Sequence, residues 1–146
     1  MAIDNADWHS GGDYPSDLPL ENGGTHIGMF LAWAIINDLQ GESHDEEAAD
    51  ELAEVRAREM TGREFLFQAC DGKFCEEDLS AEGNEFAAAY YSGESGQVYG
   101  AYIADYAGAL NDGLPSLYHV ADTWANFDTI AVIISRRFTE WRAARA

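Results

Sequence analysis

The residues best suited to chemistry in this 146-residue chain are four histidines and two cysteines. His9, His26, His44 and His119 lie far apart in sequence, and no His-Glu-x-x-His pair is present. Cys70 and Cys75 form a lone pair without the second pair that a structural zinc site usually takes. Packed, idle thiols are the expectation for them, and neither a metal site nor a cofactor is assigned. Asp71-Gly72-Lys73-Phe74 followed by Asp78 resembles the close of a calcium loop. Phe67 and Ala69 would hold its first ligand positions and offer no side-chain oxygen, whereas the ion needs about six or more. That stretch is read as a helix–turn–helix junction.

Nucleophilic and phosphate chemistry find little support. There is no Gly-x-Ser-x-Gly elbow. Ser10, Ser16, Ser43, Ser80 and Ser116 sit in turns or at helix starts, where a hydroxyl serves the local backbone. Asn22-Gly23-Gly24-Thr25 aims backbone N–H groups outward at a helix start, but no cation lies near it in the sequence. Acid pairs are too numerous to single out, and no catalytic residue is assigned. One constellation stands apart. His26, Trp33 and Asn37 share a helix face, while Trp8, His9, His119 and Trp124 flank turns. If they converge, His26, Trp33, Asn37, His119 and Trp124 form an aromatic-lined polar pocket for a small ligand. The competing reading makes them core aromatics and hydrogen-bonded core histidines.

The elements that must position these residues are helices. Residues 1–24 carry Gly11, Gly12, Pro15 and Pro19 without a period and read as an irregular segment packed on the body. Thr25 to Leu39 is apolar nearly all round, as in a helix at a domain centre, with Thr25 as N-cap and Gly28 admitting a close neighbour. Ser43 and Glu46 fit a capping box for a second helix over 44–60. Thr61 and Glu64 fit another, opening a short helix to Cys70. Further helices are expected over Glu76–Tyr91 and Gln97–Leu110, with a turn at Gly93–Gly96. Trp124, Phe127, Ala131, Ile134, Phe138 and Trp141 mark a last helix with Asp122 as N-cap. The expected fold is all-α: a compact single-domain bundle of about five or six helices covering 1–146. Short strands are conceivable only in 1–24 and 111–121.

Charge narrows the function classes. The chain has 27 acidic and 8 basic residues, a formal net charge of −19, yet is 47% hydrophobic. An acidic disordered tail lacks such apolar content. A phosphate backbone would repel this chain, so direct nucleic-acid binding is excluded. The longest apolar run, Ile27–Ile36, is too short to span a membrane, and Met1–Asp7 has no signal-peptide character. The expected setting is the cytoplasm, with reduced thiols. No Lys or Arg occurs in residues 1–55. Acidity peaks at Glu42, Asp45, Glu46, Glu47, Asp50, Glu51 and Glu54, which read either as a solvated helix face or as a docking surface for a basic partner.

Several segments taken together carry a family likeness: Trp8-His9 with Gly12-Asp13-Tyr14-Pro15, Thr25-His26-Ile27-Gly28-Met29-Phe30-Leu31-Ala32-Trp33, Cys70-Asp71-Gly72-Lys73-Phe74, and Pro115-Ser116-Leu117-Tyr118-His119-Val120 with Asp122-Thr123-Trp124. They resemble a family of small uncharacterised bacterial proteins, a domain of unknown function, which supplies no catalytic residues to carry over. Small acidic proteins of this kind resemble immunity proteins of polymorphic-toxin systems. That likeness implies a cytoplasmic inhibitor of a cognate, basic toxin effector, a nuclease among the candidates, bound through the acidic residues 42–54. The alternative is a small-ligand binder or enzyme built on the His26, Trp33, His119 pocket. Oligomeric state is left open.

Overall fold

Helix α2 (Thr25–Ile36) runs through the middle of the protein, with Thr25 to Ile35 all buried. A helix apolar on every side has no other stable place. This computed structural model describes residues 2–9, 14–92 and 101–145. The helix stops before Leu39 because Asn37 caps it: the Asn37 backbone N–H and Nδ2 both donate to the Trp33 carbonyl oxygen. Asp38 then turns the chain with φ 64°. At the other end Gly24 is the N-cap, and Thr25 lies inside the helix with its hydroxyl accepting from Arg63.

Around α2 the remaining elements are set by local signals and two close approaches. Helix α5 (Gly62–Ala69) opens with the capping box that its spacing predicts: Glu64 N–H donates to Thr61 Oγ1 and Thr61 N–H to Glu64 Oε1. It crosses α2 where Gly28 meets Gly62, and a Cβ on Gly62 would lie 2.5 Å from the Gly28 carbonyl carbon. The expected 44–60 helix is two helices, α3 (Glu42–Glu47) and α4 (Ala49–Arg56), broken at Ala48 with φ −130° and ψ 30°. Gly41, not Ser43, is the N-cap of α3. The break follows from two anchors. A bridge pairs Gln40 with Leu79 and Gly41 N–H donates to the Asp78 carbonyl, so α3 starts on the 76–80 segment. Helix α4 instead lays Leu52 and Val55 into the core beside α2.

A strand pair replaces the expected helix–turn–helix junction. Strand β1 (Ala2–Asn5) runs antiparallel to β2 (Lys73–Cys75), pairing Ala2 with Cys75 and Asn5 with Lys73. The left-handed pair Asp71 and Gly72, φ 54° and 77°, reverses the chain into β2. Helix α1 (Ala6–His9) follows β1. Residues Glu76–Asp78 form a 3-10 turn, and α6 (Ala81–Tyr90) starts at a Ser80 cap rather than at Glu76. Helix α7 spans Ala101–Leu110; the turn expected at Gly93–Gly96 and a start at Gln97 fall outside the described residues. Helix α8 (Trp124–Arg145) buries Phe127, Ile130 and Ile134, and sets Phe138 edge-on and Trp141 tilted against Phe86. Thr123 caps it by accepting from Asn126 N–H, because Asp122 is engaged by the Thr61 hydroxyl.

The fold is mostly helical, as expected. There are eight α-helices among the described residues instead of five or six, because one expected helix splits and the N-terminal segment contributes a short one. No helix among the described residues is long and apolar enough to cross a membrane.

Candidate functional site

Three features could meet a partner or ligand. The first is the acidic face of α3 and α4. Glu42, Asp45, Glu46, Glu47 and Asp50 are exposed, and Glu51 and Glu54 half-buried. Among the described residues none of these seven carboxylates forms an ion pair. Six of the seven arginines are engaged elsewhere: Arg56 with Asp38, Arg58 with Asp128, Arg63 with Asp122, Arg137 with Asp105, Arg142 with Glu82 and Arg145 with Glu85. No ion pair among the described residues therefore offsets the field of the face.

The second feature joins the N-terminal elements to α2. Strand β1 brings Asp4, and α1 brings His9, against His26 in the first turn of α2. His9 Nε2 lies 2.8 Å from Asp4 Oδ1, and His9 Nδ1 lies 2.9 Å from the Tyr118 hydroxyl. Tyr91 donates to Asp4 Oδ2 at 2.5 Å, and Asn5 N–H donates to Oδ1. Burial opposes ionisation of Asp4, but His26 and His9 beside it hold the carboxyl well below the usual carboxylate range. His26 is fully buried; its Nε2 is 3.5 Å from Asp4 Oδ2, and neither ring nitrogen has a hydrogen-bond partner among the described residues. Burial lowers its pKa, so the imidazole is neutral at pH 7. The ring sits edge-on to His9 and Tyr106.

The third feature is an open cleft of about 600 Å³ beside the acidic face, lined by Glu47, Glu51, Cys70, Lys73, Cys75 and Asp78 among others. At its base His44 Nε2–H donates to Asp78 Oδ1 at 2.8 Å, the Cys70 thiol donates to the same oxygen at 3.5 Å, and Cys75 N–H donates to Oδ2. These groups satisfy one another. Burial and the Asp78 carboxylate push the Cys70 thiol far up, so it is no thiolate nucleophile.

The five residues proposed for a His/Trp pocket engage different neighbours. Trp33 is buried among Phe30, Phe86 and Phe138 and donates to Ser135. Asn37 is exposed at the α2 C-terminus, where its Nδ2 donates to the Trp33 carbonyl and caps the helix. His119 bonds Ser116 and Asp17. Trp124 lies beneath the Arg58 guanidinium and against Phe127. His26 instead lies with Asp4, His9 and Tyr118, apart from the other four.

Residues 2–120 match the model of a family described as a domain of unknown function, DUF7832. The chain belongs to this family. The matched span holds the acidic face, the Asp4 cluster and the cleft residues, and ends before α8. No curated protein and no solved structure gives a match. Nothing in the sequence marks Asp4 as a site residue, and Asp78 stands out there only in the rejected calcium-loop pattern. Each is one acid among 27, and its role depends on pairings with His9 and His44 from other elements.

Proposed function

We propose that the protein is a cytoplasmic binding protein whose α3–α4 face docks a basic protein partner, and that it acts as an immunity protein holding a toxin effector inactive. One observation carries the reading: the seven carboxylates of residues 42–54 have no ion-pair partner among the described residues, while six arginines pair with acids elsewhere. Packing such charge on one face costs the free protein self-repulsion, which a cationic partner would relieve. Complementary charge also raises association rates and rejects wrong partners. Two cysteines that form no disulfide accord with a reducing compartment.

The test is affinity capture of the product of the adjacent gene, followed by elution with rising salt. The expected result is one-to-one capture that weakens steeply as ionic strength shortens the Debye length from about 10 Å at 0.1 M to about 3 Å at 1 M. No capture, or capture indifferent to salt, would overturn the proposal.

A further inference from the structure

The Asp4, His9 and His26 cluster has an unexplained member. A fully buried imidazole whose Nδ1 has no partner among the described residues, and whose Nε2 has only a long 3.5 Å approach to Asp4 Oδ2, is costly, and such a group in a native interior calls for a water or an ion. The surroundings favour an ion. One ligand atom each from Asp4, His9 and His26 lies within 4.8 Å of the other two. Two donors on a tetrahedral zinc at ordinary ligand lengths stand about 3.3 Å apart. His9 Nε2 stands 2.8 Å from Oδ1 and His26 Nε2 3.5 Å from Oδ2, each within about half an ångström of that value and each to a different oxygen of the one carboxylate. All three side chains are more than nine-tenths buried, so water competes poorly for the position.

From this geometry we infer that Asp4, His9 and His26 bind one divalent first-row transition ion of the zinc class, clasping β1 and α1 onto α2. Two imidazoles and one carboxylate suit such an ion better than magnesium or calcium, which favour all-oxygen sites. The supporting groups are those a metal site needs. With His9 ligating through Nε2, its Nδ1–H donates to the Tyr118 hydroxyl at the observed 2.9 Å. Tyr91 fixes the Asp4 carboxylate through Oδ2. His26 contributes a neutral imidazole from the first turn of a rigid central helix. Binding moves the His9 ring proton from Nε2 to Nδ1, so the His9 Nε2–Asp4 Oδ1 hydrogen bond gives way to coordination and the Tyr118 hydroxyl accepts from Nδ1–H.

The experiment uses the full chain, stripped with a chelator and titrated with Co2+ and then Zn2+. One equivalent of Co2+ is expected to give visible ligand-field bands with no sulfur-to-cobalt charge-transfer band, and Zn2+ to displace it. Zn2+ is expected to raise Tm, because it binds the folded chain alone. His9→Gln should weaken Zn2+ binding at least about tenfold, and Tyr118→Phe, which keeps the ring and removes only an outer-shell partner, about tenfold. Cys70→Ser should leave affinity unchanged. Absence of saturable one-to-one binding would overturn the assignment. So would a sulfur charge-transfer band abolished by Cys70→Ser, which would put the ion in the His44, Cys70, Asp78 cleft. Full affinity in folded His9→Gln protein would also overturn it.

Discussion

Replacing Gly28 by Ala sets two physical effects against each other. Helix propensity alone favours Ala over Gly by about 0.8–1.0 kcal/mol in a helix interior. The crossing of α2 and α5 opposes it. A Cβ on Gly28 would lie 2.5 Å from Arg63 Cα and 2.6 Å from the Gly62 carbonyl carbon, whereas carbon atoms settle at about 3.5–4.0 Å. The opposing atoms are backbone, so no rotamer relieves the contact. Helix α5 must recede by about 1 Å, which loosens the packing of Phe65 and Leu66, both fully buried. Overpacking costs about 1–3 kcal/mol, and rigid backbone puts this site at the upper end. Net of propensity, Gly28→Ala should destabilise by about 2 kcal/mol, a fall in Tm of roughly 6 °C for a chain of this size. Gly108→Ala is the internal control, since α7 leaves open space at that position. It should gain about 1 kcal/mol. Urea melts followed by far-ultraviolet circular dichroism read both variants. If Gly28→Ala stabilises as Gly108→Ala does, the α2–α5 crossing described above is wrong.

Other expectations follow from the same structure. Gly41→Ala would put a Cβ 2.9 Å from the Glu77 carbonyl carbon and closer still to its oxygen; it should cost about 2–3 kcal/mol in urea melts and weaken the His44–Asp78 bond, seen as altered His44 ring shifts in NMR. Burial opposes ionisation of Asp105, but hydrogen bonds from Arg137 and Tyr90 outweigh it and hold the carboxyl below its usual range. A depressed folded-state pKa gives stability that is present above the unfolded value near 3.8 and is lost as pH falls through the folded value. Asp105→Asn should therefore flatten that part of the acid limb of a stability–pH curve, and an unchanged limb would contradict this. Burial and Asp78 raise the Cys70 thiol, and burial raises Cys75 less; in metal-free protein at pH 8 a disulfide reagent should react with Cys70 more slowly than with Cys75, and both more slowly than with free cysteine.

Helical periodicity was legible because it is local. The central burial of α2, the Thr61 capping box, the close approach at Gly28 and the long stripe of α8 all follow from residues within a few turns of one another. The failures share one cause. Ser43 and Asp122 carry good cap chemistry, but Gly41 is held by Asp78, and the Thr61 hydroxyl donates to Asp122. Strand β2 forms only because β1, about seventy residues away in sequence, supplies its partner. The same limit hid the Asp4 cluster. His26 was visible as an uncommon residue on an apolar helix, whereas Asp4 acquires meaning only from the fold that brings β1 beside α2. Trp33 illustrates the converse: its rarity suggested a ligand site, and its neighbours make it core.

The central claim is that the α3–α4 face binds a basic partner by charge. Its most direct test is the affinity of the captured effector for a variant carrying Glu42→Gln, Asp45→Asn, Glu46→Gln, Glu47→Gln and Asp50→Asn, all at exposed positions. Five rim pairs at about 0.5 kcal/mol each amount to about 2.5 kcal/mol, close to a 70-fold rise in Kd. Most of that rise should appear in the association rate, with Tm equal to or above wild type. A Kd that stays at the wild-type value in this folded variant, with the same salt dependence, would contradict the account.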